Sequence, residues 1–283
     1  MSYAVKTASR PNALVIVRAG DNSRHPAWIG NGIDPGFDLW VSYYGSGKIP
    51  LEQHCSYTER VKGPKWKPIH SLLEREWSRI CCYDYVWLPD DDLAADAETL
   101  RRLFFVCSQN KFELAQPALT PESFFSHFIT VRRRGLTFRW TNFVEVMAPC
   151  FRIDVLDSLR HTFTESVSGW GLDLIWYKIR RQPQHGFAII DAAPVRHTRP
   201  IHGGSLYSSI EAKMSATEEM MDVRSRYDVK LELKEFGGEL LNGLVAPGWV
   251  RFVLGQQAKW ATEFHARRRV QEQNYLRMNE ANQ

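Results

Sequence analysis

Tyr85-Val86-Trp87-Leu88-Pro89-Asp90-Asp91-Asp92-Leu93 decides how this chain is read. Apolar, β-prone residues carry the backbone out of a core, and three consecutive carboxylates stand at the end of the run. Carboxylates this close repel one another unless a cation sits among them, and hard oxygen ligands suit Mg²⁺ or Mn²⁺. In open α/β sheets, ligands collect outside the carboxyl ends of the strands, where this triplet would fall. The same composition also suits a solvated turn or a helix N-cap, so the flanking sequence has to choose.

Working outward, residues 13–17 form an all-apolar run of the buried-strand kind, closed by the polar turn Arg18-Ala19-Gly20-Asp21. Residues 37–44 read as a second strand. A helix is expected after Pro68, because Ile69, Leu72, Leu73, Trp77 and Ile80 share one face and proline suits a first turn. Beyond the triplet, Asp96 is placed to cap a helix whose stripe is Leu100, Leu103, Phe104 and Cys107. Strand, helix, strand, helix in this rhythm predicts an α/β domain with a mostly parallel, mixed central sheet flanked by helices. Further on, residues 113–119 and 142–152 look extended, 154–160 and 172–181 helical, and 187–195 extended again. The last ~75 residues turn charged and helical. The division expected is a domain over 1–205 and a helical extension over 206–283.

Composition sets the bounds. At 283 residues, 44% hydrophobic with 10 tryptophans, the chain can bury a full core. A formal charge of +4 permits anionic ligands without demanding nucleic acid, which is not expected as a partner. Five cysteines without a C-x-x-C pair suggest reduced thiols and a cytoplasmic setting. No signal peptide or membrane span is expected.

Several further residues suit chemistry at one site. Arg18 follows the first strand, where a guanidinium can grip a phosphate, or simply form an internal ion pair. In Lys62-Gly63-Pro64-Lys65-Trp66-Lys67-Pro68, Lys65 is the chosen phosphate contact at a helix start, against the reading of a solvated basic loop. In Ser168-Gly169-Trp170-Gly171-Leu172-Asp173, glycines allow close backbone approach, Trp170 offers a face for a sugar ring, and Asp173 can take a hydroxyl proton. Glu145 interrupts an apolar stretch read as a strand, with period two placing it beside Phe143 and Met147. It is the alternative base if Asp173 is not, or else a surface residue of an edge strand. His197, in Val195-Arg196-His197-Thr198-Arg199-Pro200, is preferred over His202 as a ligand because it lies nearer the strand end.

Asp90-x-Asp92, the stretches 142–151, 169–173 and 196–200, and the order in which they occur resemble GT-A glycosyltransferases, and within them a glycosyltransferase-like family of bacteria and plants, over residues 12–200. The resemblance implies a metal-dependent transfer from a nucleoside-diphosphate sugar, UDP first, to a glycan or lipid-linked acceptor, with inversion. It implies Asp90 and Asp91 at the donor, Asp92 and His197 on Mn²⁺ or Mg²⁺, Trp170 at the acceptor and Asp173 as base. A lone acid after Gly-Trp-Gly departs from the usual pair. Two other readings remain open: a nucleotidyltransferase or metal-dependent phosphohydrolase, and a non-catalytic nucleotide- or carbohydrate-binding protein. Near the C-terminus, Trp249, Phe252, Val253, Trp260 and Phe264 fall on one helical face amid basic residues. That stripe suits packing on its own domain, a homodimer, or peripheral contact with an anionic membrane.

Overall fold

The computed structural model describes residues 12–30, 34–181, 183–201 and 215–281, with side chains as far as 273. His202 and the 205/206 boundary lie outside the described residues. Strand β1 (Ala13–Ala19) is buried along its whole length and lies parallel between β2 (Asp38–Tyr43) and β4 (Tyr85–Trp87), with β3 (Tyr57–Arg60) outside β2. Its side chains alternate between two cores: Val15 and Val17 belong to one, Leu14 and Ile16 to the other. The first core is roofed by α1 (His25–Ile29) and α3 (Ala97–Asn110), through Trp28, Leu100, Leu103 and Phe104. The second is roofed by α2 (Trp66–Ile80), α4 (Ile153–Leu159) and α5 (Leu172–Ile179), through Leu72, Leu73, Leu156 and Trp176. Helices therefore cover both faces of one sheet.

Beyond β4 the sheet continues through β8 (Cys150–Arg152), β6 (Leu114–Leu119), β9 (Phe187–His197), β7 (Leu136–Thr141) and β10 (Glu235–Leu240), while the short β5 (Leu93–Ala94) pairs with the end of β9. From the pairings, β1, β2, β3, β4, β6, β9 and β10 run one way, and β5, β7 and β8 oppose them. The sheet is mixed and mostly of one direction, as expected. Asp96 caps α3 by accepting from the Thr99 amide at 2.7 Å.

Two expectations change. Residues 142–149 are not a strand. Two of their amides are held by side chains, Phe143 N–H by Thr141 Oγ1 at 3.1 Å and Glu145 N–H by Gln116 Oε1 at 2.6 Å, so this segment is a buried loop and Cys150–Arg152 alone of 142–152 pairs in the sheet. Glu145 is accordingly no edge-strand surface residue; it is 5% exposed. The charged C-terminal segment holds helices α6 (Ala216–Arg226) and α7 (Gly248–Ala281), and between them a strand its composition hides, β10.

That strand is tied in by charge. Arg139 and Asp191 are both fully buried and meet through Nε–Oδ2 at 2.7 Å and Nη2–Oδ1 at 3.2 Å. Glu235 of β10 reaches Arg139 at 3.3 Å, Arg133 at 2.9 Å and Arg251 of α7 at 3.3 Å. Cys55, Cys81, Cys82, Cys107 and Cys150 carry free thiols, Cys107 and Cys150 of them buried. Among the described residues no helix is long and apolar enough to cross a membrane.

Candidate active site

A cleft opens at the carboxyl ends of β1, β4 and β9. It is lined by Arg18, Tyr44, Lys65, the Asp90–Asp92 triplet, Ser126, Glu145, Trp170, His197 and Arg199. The triplet is fixed at both sides: the Asp90 amide donates to Met147 O at 2.8 Å, and Thr198 donates to Asp92 O through N–H (3.1 Å) and Oγ1 (2.8 Å). The pairing of β5 with β9 sets Leu93 opposite His197, which brings the imidazole against Asp92.

The repulsion expected among the three carboxylates is met by side chains. Lys65 Nζ lies 2.7 Å from Asp90 Oδ1 and also donates to Val146 O (2.8 Å) and Met147 O (3.3 Å). Arg199 Nη1 lies 3.0 Å from Asp91 Oδ1. His197 Nε2 lies 3.1 Å from Asp92 Oδ2. Burial opposes the imidazolium, but the hydrogen bond and charge of Asp92, the Phe124 carbonyl and Asp90 outweigh it and push the His197 pKa up to about 9. Burial pulls Lys65 below the ordinary lysine range, with Asp90 opposing.

Asp91 is committed inside the protein: its Oδ2 accepts from the Gly20 amide (2.8 Å) and Tyr44 OH (3.1 Å). Arg18 is likewise bonded internally, Nη1 to Ser42 Oγ at 2.9 Å and Nη2 to Val61 O at 2.9 Å and Gly63 O at 2.8 Å, and burial lowers it to about 10. Both residues brace the loops around the cleft.

Arg18 Nε, Asp92 Oδ1 and Glu145 Oε2 are different. Each is buried and has no hydrogen-bond partner among the described residues. Such atoms are costly unless a ligand meets them. Among the described residues no group of three or more His, Cys, Asp or Glu side chains could hold a metal ion. Asp92 and His197 nevertheless make a fitting pair. Asp92 offers the unpartnered oxygen, and His197 Nδ1, 2.7 Å from Phe124 O, is oriented so that Nε2 faces the carboxylate and would be free for a cation once it gives up its proton. One or two protein ligands beside substrate phosphates are what Mg²⁺ ordinarily uses.

Glu145 faces the cleft, whereas Asp173 does not line it. Burial, then the negative charge of Asp173, pushes Glu145 up to about 8, with His197 and a hydrogen bond to Ser126 opposing. Burial also pushes Asp173 up to about 7, held back by backbone amides including that of Val146.

The glycines flanking Trp170 have reasons of their own. Gly169 (φ +86°) lies so close to the Trp66 indole that an added Cβ would be 1.9 Å from Nε1, and one on Gly171 (φ +94°) would be 3.0 Å from Val223. They serve the turn's conformation and its packing, and this turn presents Trp170 to the cleft. Glu219 of α6 secures the same turn, accepting from Ser166 Oγ (2.9 Å) and from Ser168 N (2.8 Å) and Oγ (2.6 Å). Sequence reasoning did not pick out Tyr44, Ser126, Arg199 or Glu219. Arg199 was within reach, two residues beyond His197 in a run already singled out; Ser126 and Glu219 carry no local signal.

Helices on both faces of a mixed sheet, with the acidic turn at its strand ends, make this the GT-A fold of glycosyltransferases. Among solved structures, the crystal structure of GalNAc-T7 with UDP, GalNAc and Mn²⁺ superposes with a TM-score of 0.54 at 8% identity, over 77% of this chain and 48% of that one. This chain thus spans about half the length of that protein, and likeness at such identity concerns the fold. Residues 1–349 of S. aureus TarS give a TM-score of 0.44 at 12% identity, over 76% of this chain and 72% of that one, too distant to build on. No protein-family model and no curated protein matches the sequence.

Proposed function

We propose that the protein is a metal-dependent glycosyltransferase that takes a sugar from a nucleoside-diphosphate donor, UDP first, and passes it to a hydroxyl of a glycan or lipid-linked acceptor. The observation that carries this reading is the pair of buried, unpartnered carboxylate oxygens, on Asp92 and Glu145, in one cleft at the strand ends. The GT-A fold supports it, as does the UDP and Mn²⁺ held by GalNAc-T7. Asp92 and His197 hold the divalent cation, which when bound neutralises charge on the departing diphosphate. Asp90, kept in place by Lys65, lies toward the donor. Arg18 and Asp91 brace the loops that shape the donor side. Trp170 offers its face to the acceptor sugar.

The base is assigned to Glu145 in preference to Asp173. Glu145 lines the cleft, and its raised pKa makes its ionised form a stronger proton acceptor than an ordinary carboxylate. Asp173 acts from behind, through its charge. A base on the acceptor side gives an in-line displacement with inversion at the anomeric carbon.

The test is UDP titration with and without Mn²⁺, on the wild type and on Asp92→Asn. Asn keeps the shape and the contact with His197 but loses the charge, so metal-dependent affinity should fall at least tenfold. Equal Mn²⁺-dependent binding by a folded Asp92→Asn protein defeats the assignment. UDP binding without donor turnover by any metal ion makes the protein a nucleotide binder instead.

A further inference from the structure

Helix α7 is amphipathic the wrong way round. Its inner face is small and polar: Ala258 and Thr262 are buried, Leu254 lies over Gly135, Arg251 pairs with Glu235, and the Arg269 guanidinium sits 4.5 Å above the Phe124 ring. Its outer face carries the large apolar side chains. Trp249 is 72% exposed, Phe252 66%, Val253 44%, Trp260 67% and Phe264 62%. At 100° per residue these five span about 120° opposite Ala258 and Thr262. The loop just ahead continues the run, with Leu241, Leu244 and Val245 all exposed. A contiguous apolar patch of this kind needs a partner.

We propose that α7 and the loop entering it seat the protein on an anionic lipid surface. Charge points there: Lys259 and Arg267 are exposed along the stripe beside one acid, Glu263, while Arg268 is paired with Glu272 at 2.9 Å. Basic side chains bordering an apolar face with two tryptophans suit the headgroup region, where indole rings sit and polar neighbours are tolerated. A helix seam with a second copy fits less well. Stepping seven residues from Trp249 puts Gln256 and then Glu263 in the seam, and stepping seven from Phe252 puts Lys259 there. Instead the stripe repeats every eleven residues, Trp249 to Trp260 and Val253 to Phe264, the spacing of a nearly straight helix lying on a surface.

The patch is separate from the cleft, so this inference stands or falls apart from the proposed activity. The 283-residue chain, without donor or metal, is centrifuged with vesicles of phosphatidylcholine alone and with one third phosphatidylglycerol. Binding is expected to the anionic vesicles only, and to weaken with salt. Trp260→Ser with Phe264→Ser should lower it at least tenfold, and Lys259→Gln with Arg267→Gln by roughly fivefold per residue. These side chains are exposed, so the melting curves should not move. No binding to either vesicle, or equal binding to both, overturns the proposal. So does a dimer in analytical ultracentrifugation that the Trp260→Ser, Phe264→Ser protein fails to form.

Discussion

Replacing Glu145 by Gln removes an ionisation that the fold opposes, and the gain can be worked out in advance. The carboxyl rises from 4.5 to about 8 because it is buried and faces the charge of Asp173. Between those two values the folded chain keeps a proton that the unfolded chain has lost. Wild-type stability therefore falls as pH rises through that window and is unaffected by this group below it. One pKa unit is about 1.4 kcal/mol, so at pH 7 the cost is roughly 3 kcal/mol, against less than about 1 kcal/mol at pH 5. Glutamine cannot ionise. Its variant should melt higher than wild type by about 6–12 °C at pH 7, taking roughly 2–4 °C per kcal/mol, with the gap nearly closed at pH 5. The assay is a series of circular-dichroism melts between those pH values without added metal. The same substitution should cut sugar transfer by about 10²–10⁴-fold. Melting curves that stay parallel across the pH range would refute the account of Glu145 as a buried carboxyl whose ionisation is delayed to about pH 8 by its surroundings.

Two further substitutions probe the frame of the site. Gly169→Ala meets both a left-handed backbone and the Trp66 ring, whereas Gly243→Ala, at φ +82° with nothing within 4 Å, meets the backbone term alone. The second should cost about 1–2 kcal/mol and the first clearly more, so equal losses in denaturant titration would show that Trp66 moves aside freely. Asp191→Asn strips the charge from the buried partner of Arg139 and should cost about 3–5 kcal/mol by the same measurement; a loss under about 1 kcal/mol would mean that Glu235 alone satisfies the guanidinium.

How legible the fold was depended on where each element's partners lie. β1 announced itself because burial on both faces leaves an unbroken apolar run, and α3 because its cap and stripe are local. The 142–149 loop deceived because alternation of Phe143, Glu145 and Met147 mimics a strand, while the Thr141 and Gln116 side chains that hold two of its amides leave no periodic trace. β10 contains Gly237 and Gly238, and besides β7 it bonds to the turn residues Leu244–Ala246 that follow it, so neither propensity nor pattern marks it. The cleft was half legible. The acidic triplet and His197 do converge, because β5 and β9 zip together beside them. Arg18 and Lys65 looked like phosphate ligands in sequence, yet their donors reach carbonyls of loops far along the chain, Val61 and Gly63 for one, Val146 and Met147 for the other.

The seat of Glu235 also sets a timetable for biosynthesis. Translation delivers β7 with Arg139 well before β10 exists, and until the ribosome has released residue 240 the nascent sheet ends in a bare edge beside under-compensated positive charge. Unpaired edges of this kind invite pairing with other chains. The domain that carries the cleft therefore finishes folding only when its most C-terminal strand arrives, and a ribosome stalled before that point would hold out an aggregation-prone intermediate.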